Sequence, residues 1–170
     1  MRKITFLSLF VFSYACQQVE KVNQVVFDNN QFAKFDIFSD TIEISEIFEK
    51  KIADPYIGHT LKVSPSQRAI NWINNNFKAI GNENKLKISL LDSSLTQTQF
   101  ENQQVKKFSE KNNYKYELFY LIEFSLYDDF NNIIASTLVE TSRSTTSGLY
   151  ISIQEKENII SDLIYLSLLD

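Results

Sequence analysis

The chain is poor in the residues that break, cross-link or metallate a fold. Its 170 residues include only three glycines and two prolines, so hinges are few, and no segment repeats at a fixed period, which argues against a solenoid or a two-domain split. One histidine and one cysteine leave no set with metal-ligand spacing. No Walker, G-x-G-x-x-G or G-x-S-x-G pattern occurs. Asp128-Asp129 lacks the frame and the distant bidentate glutamate of a calcium loop, and reads as a turn. A broad cationic face is missing too: the formal net charge is -4 with both signs interleaved, which speaks against nucleic acid as a partner. Lys106, Lys107 and Lys111 lie among Glu101 and Glu110 and read as a solvated loop. No apolar run approaches the roughly 20 residues of a transmembrane helix.

What is present is apolar bulk, 44% hydrophobic with 14% aromatic, enough for one packed core. The first residues have a layout of their own. Arg2 and Lys3 precede a nine-residue, mainly apolar stretch, Ile4 to Phe12, and Ser13-Tyr14-Ala15 leads to Cys16. That is the order of a secretory signal peptide. With the cysteine directly after the small residue it resembles the lipobox of bacterial lipoproteins. The resemblance implies cleavage before Cys16 and attachment of a diacylglyceryl group to its thiol. Removing Arg2 and Lys3 with the leader takes the 17 basic residues to 15 against 21 acidic, so charge would not hold the chain to anionic lipid. Two or more acyl chains would, at about 0.8 kcal/mol per buried methylene. The expected divisions are a signal peptide at 1–15, a lipidated N-terminus and tether at 16–40, and one α+β domain at 41–170.

Within that domain Ile42 and Ile44 alternate as a first strand that Ile47 puts out of step. Ser64-Pro65 reads as a helix N-cap with proline at the first helical position. Ala69, Trp72, Ile73, Phe77 and Ile80 then fall at helical spacing up to Gly81, a candidate C-terminal glycine, with Trp72 as a core aromatic. Leu86, Ile88 and Leu90 alternate as a half-buried strand, and the polar run from Ser93 to Asn113 predicts a long loop. "YKYELFYLIEFSLYDD" is the strongest strand, with Tyr114, Tyr116, Leu118, Tyr120, Ile122, Phe124 and Leu126 on one face. A turn at Asp128–Asn132 returns it into "IIASTLVETSRSTT" as a hairpin. Ser152-x-x-Glu155 is a capping box for a final helix with Ile153, Ile160, Leu163, Ile164 and Leu168 inward. The expected order is β-α-β-β-β-α, with two helices on one face of a mainly antiparallel sheet.

The stretch "YKYELFYLIEFSLYDDFNNIIASTLVETSR" is similar to the strand, "D-x-x-G" turn and arginine-ended strand of the LPS-assembly lipoprotein family, with asparagine at the turn glycine's position. Members are small outer-membrane lipoproteins seated inside a β-barrel translocon. "DPYIGHTLKVSPSQRAINW" and "SRSTTSG" resemble uncharacterised lipoproteins of alphaproteobacteria, and the auxiliary lipoproteins of ABC-type transporters share a similar α/β plan. These likenesses imply a non-enzymatic accessory in outer-membrane or LPS assembly or lipid transport, without a cofactor. It would be anchored through Cys16 to membrane lipid, face the periplasm, and take a β-barrel or ABC-transporter protein as partner. Gln17 after the cysteine is compatible with outer-membrane sorting under the plus-two rule. Arg143 among serines and threonines is a candidate anion or partner contact. Two rivals remain: a structural envelope lipoprotein, and a small periplasmic hydrolase built around His59.

Overall fold

The structure, a computed structural model, describes residues 31–101 and 112–169. Its order is β1 (Phe35–Ile37), β2 (Thr41–Glu46), α1 (Pro65–Asn76), β3 (Phe77–Ala79), β4 (Lys85–Glu101), β5 (Asn112–Tyr127), β6 (Ile133–Gly148) and α2 (Ile153–Leu169). The four longer strands form one sheet in the order β2-β4-β5-β6, and β1 and β3 pair in parallel as a second, small sheet. β2 runs parallel to β4, and the other neighbours are antiparallel. The expected α+β plan is therefore the observed one, with β1 and β3 added.

The core lies between the two helices and one sheet face. Ala69 and Ile73 of α1 and Ile160, Leu163, Ile164 and Leu168 of α2 are buried against Leu86, Ile88, Leu90 and Leu95 of β4 and Tyr116, Leu118, Tyr120 and Ile122 of β5. Both helix starts are capped as the sequence predicts. Ser64 Oγ accepts from the Gln67 N–H at 3.2 Å, and Ser152 Oγ from that of Glu155 at 3.1 Å. Ile153, expected inward, is exposed: it is the first residue of α2, ahead of the turn that meets the sheet.

The helix expected to run to Ile80 stops at Asn76, and Phe77 begins β3. Asn76 ends it: its side-chain amide donates to the Trp72 carbonyl at 2.8 Å, and its oxygen accepts from Lys34 Nζ at 2.7 Å. Gly81 is accordingly not a helix cap. It lets two backbones touch, since a Cβ there would lie 2.9 Å from Phe38 C and Ser39 N. The described part of the span read as lipidated N-terminus and tether packs on the domain: Phe32 is buried edge-on against Trp72 and Tyr165, and Phe35 stacks on Phe77.

The loop expected from Ser93 is a further correction. Ser93 to Glu101 continue β4 along β5, Asn112 opens β5, and residues 102–111 lie outside the described residues. A bulge explains the misreading. Leu90 faces Ile122 while Asp92 faces Leu121, so one extra residue enters β4. Leu86, Ile88 and Leu90 are even-numbered and Leu95 is odd, yet all four are buried on the same face because the bulge resets the alternation.

Candidate binding surface

β6 is an edge strand of 16 residues, about 50 Å long, rich in the β-branched residues that favour extended backbone. Among the described residues only β5 pairs with it. Register with β5 puts Val139, Thr141 and Arg143 on the helix side, opposite Ile122, Tyr120 and Leu118, and puts Leu138 and Glu140 on the other face, while Ile134 is the extra residue where the register shifts between Leu126 and Tyr127. Leu138 is 58% exposed, Ile134 54% and Val139 44%. The first half of β6 thus offers apolar side chains on both faces beside an open row of backbone donors and acceptors, while the second half is hydroxyl-rich.

The hairpin that sets this register is closed by Asp128. Its Oδ1 accepts from the Phe130 and Asn132 N–H groups at 2.9 and 2.7 Å, and its Oδ2 from the Asn132 side-chain amide at 2.9 Å. The Asn132 amide and backbone donors hold the carboxyl below the usual aspartate range. Asn131 takes the left-handed conformation, φ 68°, that the turn's glycine-like position demands. Asp128 is a turn residue, as its sequence frame indicates.

Beside β6 a cavity of about 420 Å³ opens on the helix side, walled by Phe32, Phe77, Phe124, Val139, Thr141 and Leu168 among others. Its origin is a mismatch of lengths. The 17 residues of α2 make about 25 Å of helix, roughly half the reach of β5 and β6, so the far half of the inner face is left to aromatic rings. Phe77 stacks on Phe124 with centroids 5.7 Å apart, and Trp72 meets Phe77 edge-on at 5.5 Å. Trp72, expected in the core, is half-buried in this aromatic group. No charged residue lines the cavity. The hydroxyl of Tyr120 is spent on the Pro65 carbonyl at 2.8 Å, and burial pushes its pKa upward, so it stays a neutral structural pin.

Of the residues singled out from sequence, Arg143 and His59 lie among the described residues, on separate elements. Arg143 lies half-buried in β6, two positions beyond Thr141 on the same face. Cys16, Lys106, Lys107 and Lys111 lie outside the described residues. His59 is exposed in a short 3-10 turn, Gly58–Thr60, beside a recess of about 60 Å³, well below the ~300 Å³ at which ligand pockets begin. Four serines line that recess: Ser64 caps α1 with its hydroxyl 3.0 Å from that of Ser66, Ser94 donates to Asp92, and Ser93 is buried in β4. His59 makes no hydrogen bond to another described residue, so no nucleophile–base pair forms there. Among the described residues no group of three His, Cys, Asp or Glu side chains could hold a metal ion, and no helix is long and apolar enough to cross a membrane. A free sheet edge was expected to supply affinity; that this edge is β6, and that a cavity lies beside it, were not read from sequence. The run Ile133-Ile134, with Leu138-Val139 four residues on, was the available signal, since adjacent apolar pairs load both faces of a strand.

In its arrangement of strands and helices the chain is similar to two solved bacterial lipoproteins. A minor lipoprotein from Acinetobacter baumannii shares 12% identity at a TM-score of 0.37, over 78% of this chain and 83% of that one. Rare lipoprotein B from Shewanella oneidensis shares 16% at 0.36, over 75% and 87%. No family model matches the chain, and no curated protein matches it.

Proposed function

We propose that the chain is a lipid-anchored envelope lipoprotein that works by binding and has no catalytic role. Acylated Cys16 holds it at the outer membrane facing the periplasm, and it serves as an accessory in outer-membrane or LPS assembly or lipid transport. The observation that carries the binding reading is β6, an edge strand with apolar groups on both faces and Arg143 farther along its helix side. A partner strand can add to such an edge, with main-chain hydrogen bonds giving affinity and alternate side chains giving specificity. A β-barrel supplies strands of that kind, and an ABC-transporter subunit with an exposed edge is the second partner class. The leader ending in Ala15-Cys16 supports the anchor, and the strand–turn–strand likeness to the LPS-assembly lipoproteins supports the pathway.

The test is an Ile134→Lys/Leu138→Lys double variant, expressed in its own host and compared with the parent for stoichiometric co-purification of an integral envelope protein. Both side chains are more than half exposed, so the fold is expected to survive. Loss of the partner with an unchanged melting temperature is the expected result. Retention of the full complement, or no partner for the parent, overturns the reading in favour of a structural lipoprotein.

A further inference from the structure

One end of the molecule gathers exposed apolar side chains on three turns that are tied to one another. The Asp40 N–H donates to the carbonyls of Glu83 and Asn84 at 3.0 and 2.9 Å, the Gly81 N–H donates to Ser39 O at 3.0 Å, and the Asn84 N–H donates to Asp129 Oδ1 at 3.2 Å. The turns 38–40, 80–84 and 128–132 therefore form one platform. From it Phe38 stands 77% exposed and Phe130 87%, with Ile80 and Ile133 exposed beside them. These are tips on separate turns, not a flat patch of the kind a protein partner covers. Of the acidic groups at this end, Asp128 closes its own turn and Asp129 takes the Asn84 donor, while Asp40 and Glu83 stand on the other two turns and disfavour an anionic surface. Nothing there adds a basic cluster that would select anionic lipid.

The chain enters the described structure on the same half. Gln31 is held by the Tyr165 hydroxyl at 2.8 Å near the end of α2, and β1 runs on from there to the platform. Cys16 lies fifteen residues before Gln31, a contour of at most about 50 Å. A lipid on that cysteine keeps this half within reach of the bilayer. Resting on the anchor proposed above, we infer that the turn platform is a bilayer-contacting end, with Phe38 and Phe130 inserted among zwitterionic lipid headgroups. Phenylalanine side chains are favoured there because they bury their apolar area at the boundary between headgroups and acyl chains.

A Phe130→Trp variant, purified from cell membranes and reconstituted in phosphatidylcholine–phosphatidylethanolamine vesicles, tests this. Trp72 is the chain's only tryptophan, so the difference from the parent isolates the tip. Blue-shifted emission quenched by nitroxide-labelled acyl chains is expected. Tyr150→Trp, equally exposed between β6 and α2 at the other end, should emit as in water. Replacing Phe38 and Phe130 together by Ser should weaken vesicle partitioning of non-acylated protein by about tenfold or more per ring. A water-like tip at position 130, equal quenching at positions 130 and 150, or a shift seen only when an envelope protein is added would each overturn the inference. Intact mass of the same preparation reads acylation of Cys16 separately, so a failed anchor and a dry tip are told apart.

Discussion

The two edges of the main sheet are built differently. On one side β2 covers the start of β4 from Lys85 to Leu90, and where β2 ends the chain comes back to cover more. The Ile57 N–H donates to Leu95 O and the Gln97 N–H to Pro55 O, both at 2.9 Å, and Tyr56 bridges to Thr96. Lys51 adds a cation over the Tyr56 ring and an ion pair with Asp92 at 3.6 Å. The opposite side, β6, receives no such cover from the described residues, although it carries more exposed apolar surface. Proteins commonly blunt their edges with charge, bulges or a covering loop. Here the covering segment is on the β4 side; β6 is left long and uncovered by the described residues, its one register shift lies at Ile134 beside the turn, and its first half is apolar. The difference marks β6 as the side prepared for another chain.

The contrast can be broken most forcefully by truncating one leucine on each side of it. Leu118→Ala removes a fully buried side chain of β5 and should cost about 3 kcal/mol. Leu138→Ala, on the exposed face of β6, should change stability by less than about 0.5 kcal/mol. Urea unfolding of both variants checks the pair. A large loss at Leu138 in the isolated protein would mean that β6 is covered by its own chain.

A smaller effect comes from the turn that aims β6. The folded pKa of Asp128 is depressed below its unfolded value by the Asn132 donors. Its contribution is therefore fully present above the ordinary aspartate pKa, ~4, and is lost as pH falls through the depressed value. The thermal advantage of the parent over Asp128→Asn should be constant at neutral pH and shrink in acid. The core truncation at Leu118 should show no such pH dependence.

Much of this arrangement was legible because side-chain period and burial agree along β5. From Tyr114 to Leu126 the same seven positions alternate in the sequence and face the core or its margin in the structure. The caps at Ser64 and Ser152 were legible for a similar reason: a hydroxyl at a helix start has one dominant local use. β4 was misread because its bulge at Leu91 changes parity just where the apolar alternation gives way to a hydrophilic run, which local alternation cannot reveal. The end of α1 was misread because Phe77 and Ile80 keep helical spacing while Asn76 captures the last turn through a contact with Lys34, 42 residues away. The openness of β6 depends on which chain lies beside it, and the spacing of its own residues says little about that. Arg143 was singled out for its hydroxyl-rich neighbours, and the strand sets it opposite Leu118 on the edge of the sheet. The anchor reading rests on the leader, from Arg2-Lys3 through the apolar stretch to Ala15-Cys16.

Amide hydrogen exchange along β4 and β6 tests the central claim most directly, comparing protein purified alone with protein held in its native membranes. Alternate β6 amides point away from β5, so the account predicts fast exchange there in the isolated protein, strong protection in the membrane, and unchanged protection along β4. Uniform protection of β6 in the isolated protein, or equal exchange of β6 in both states, would contradict it.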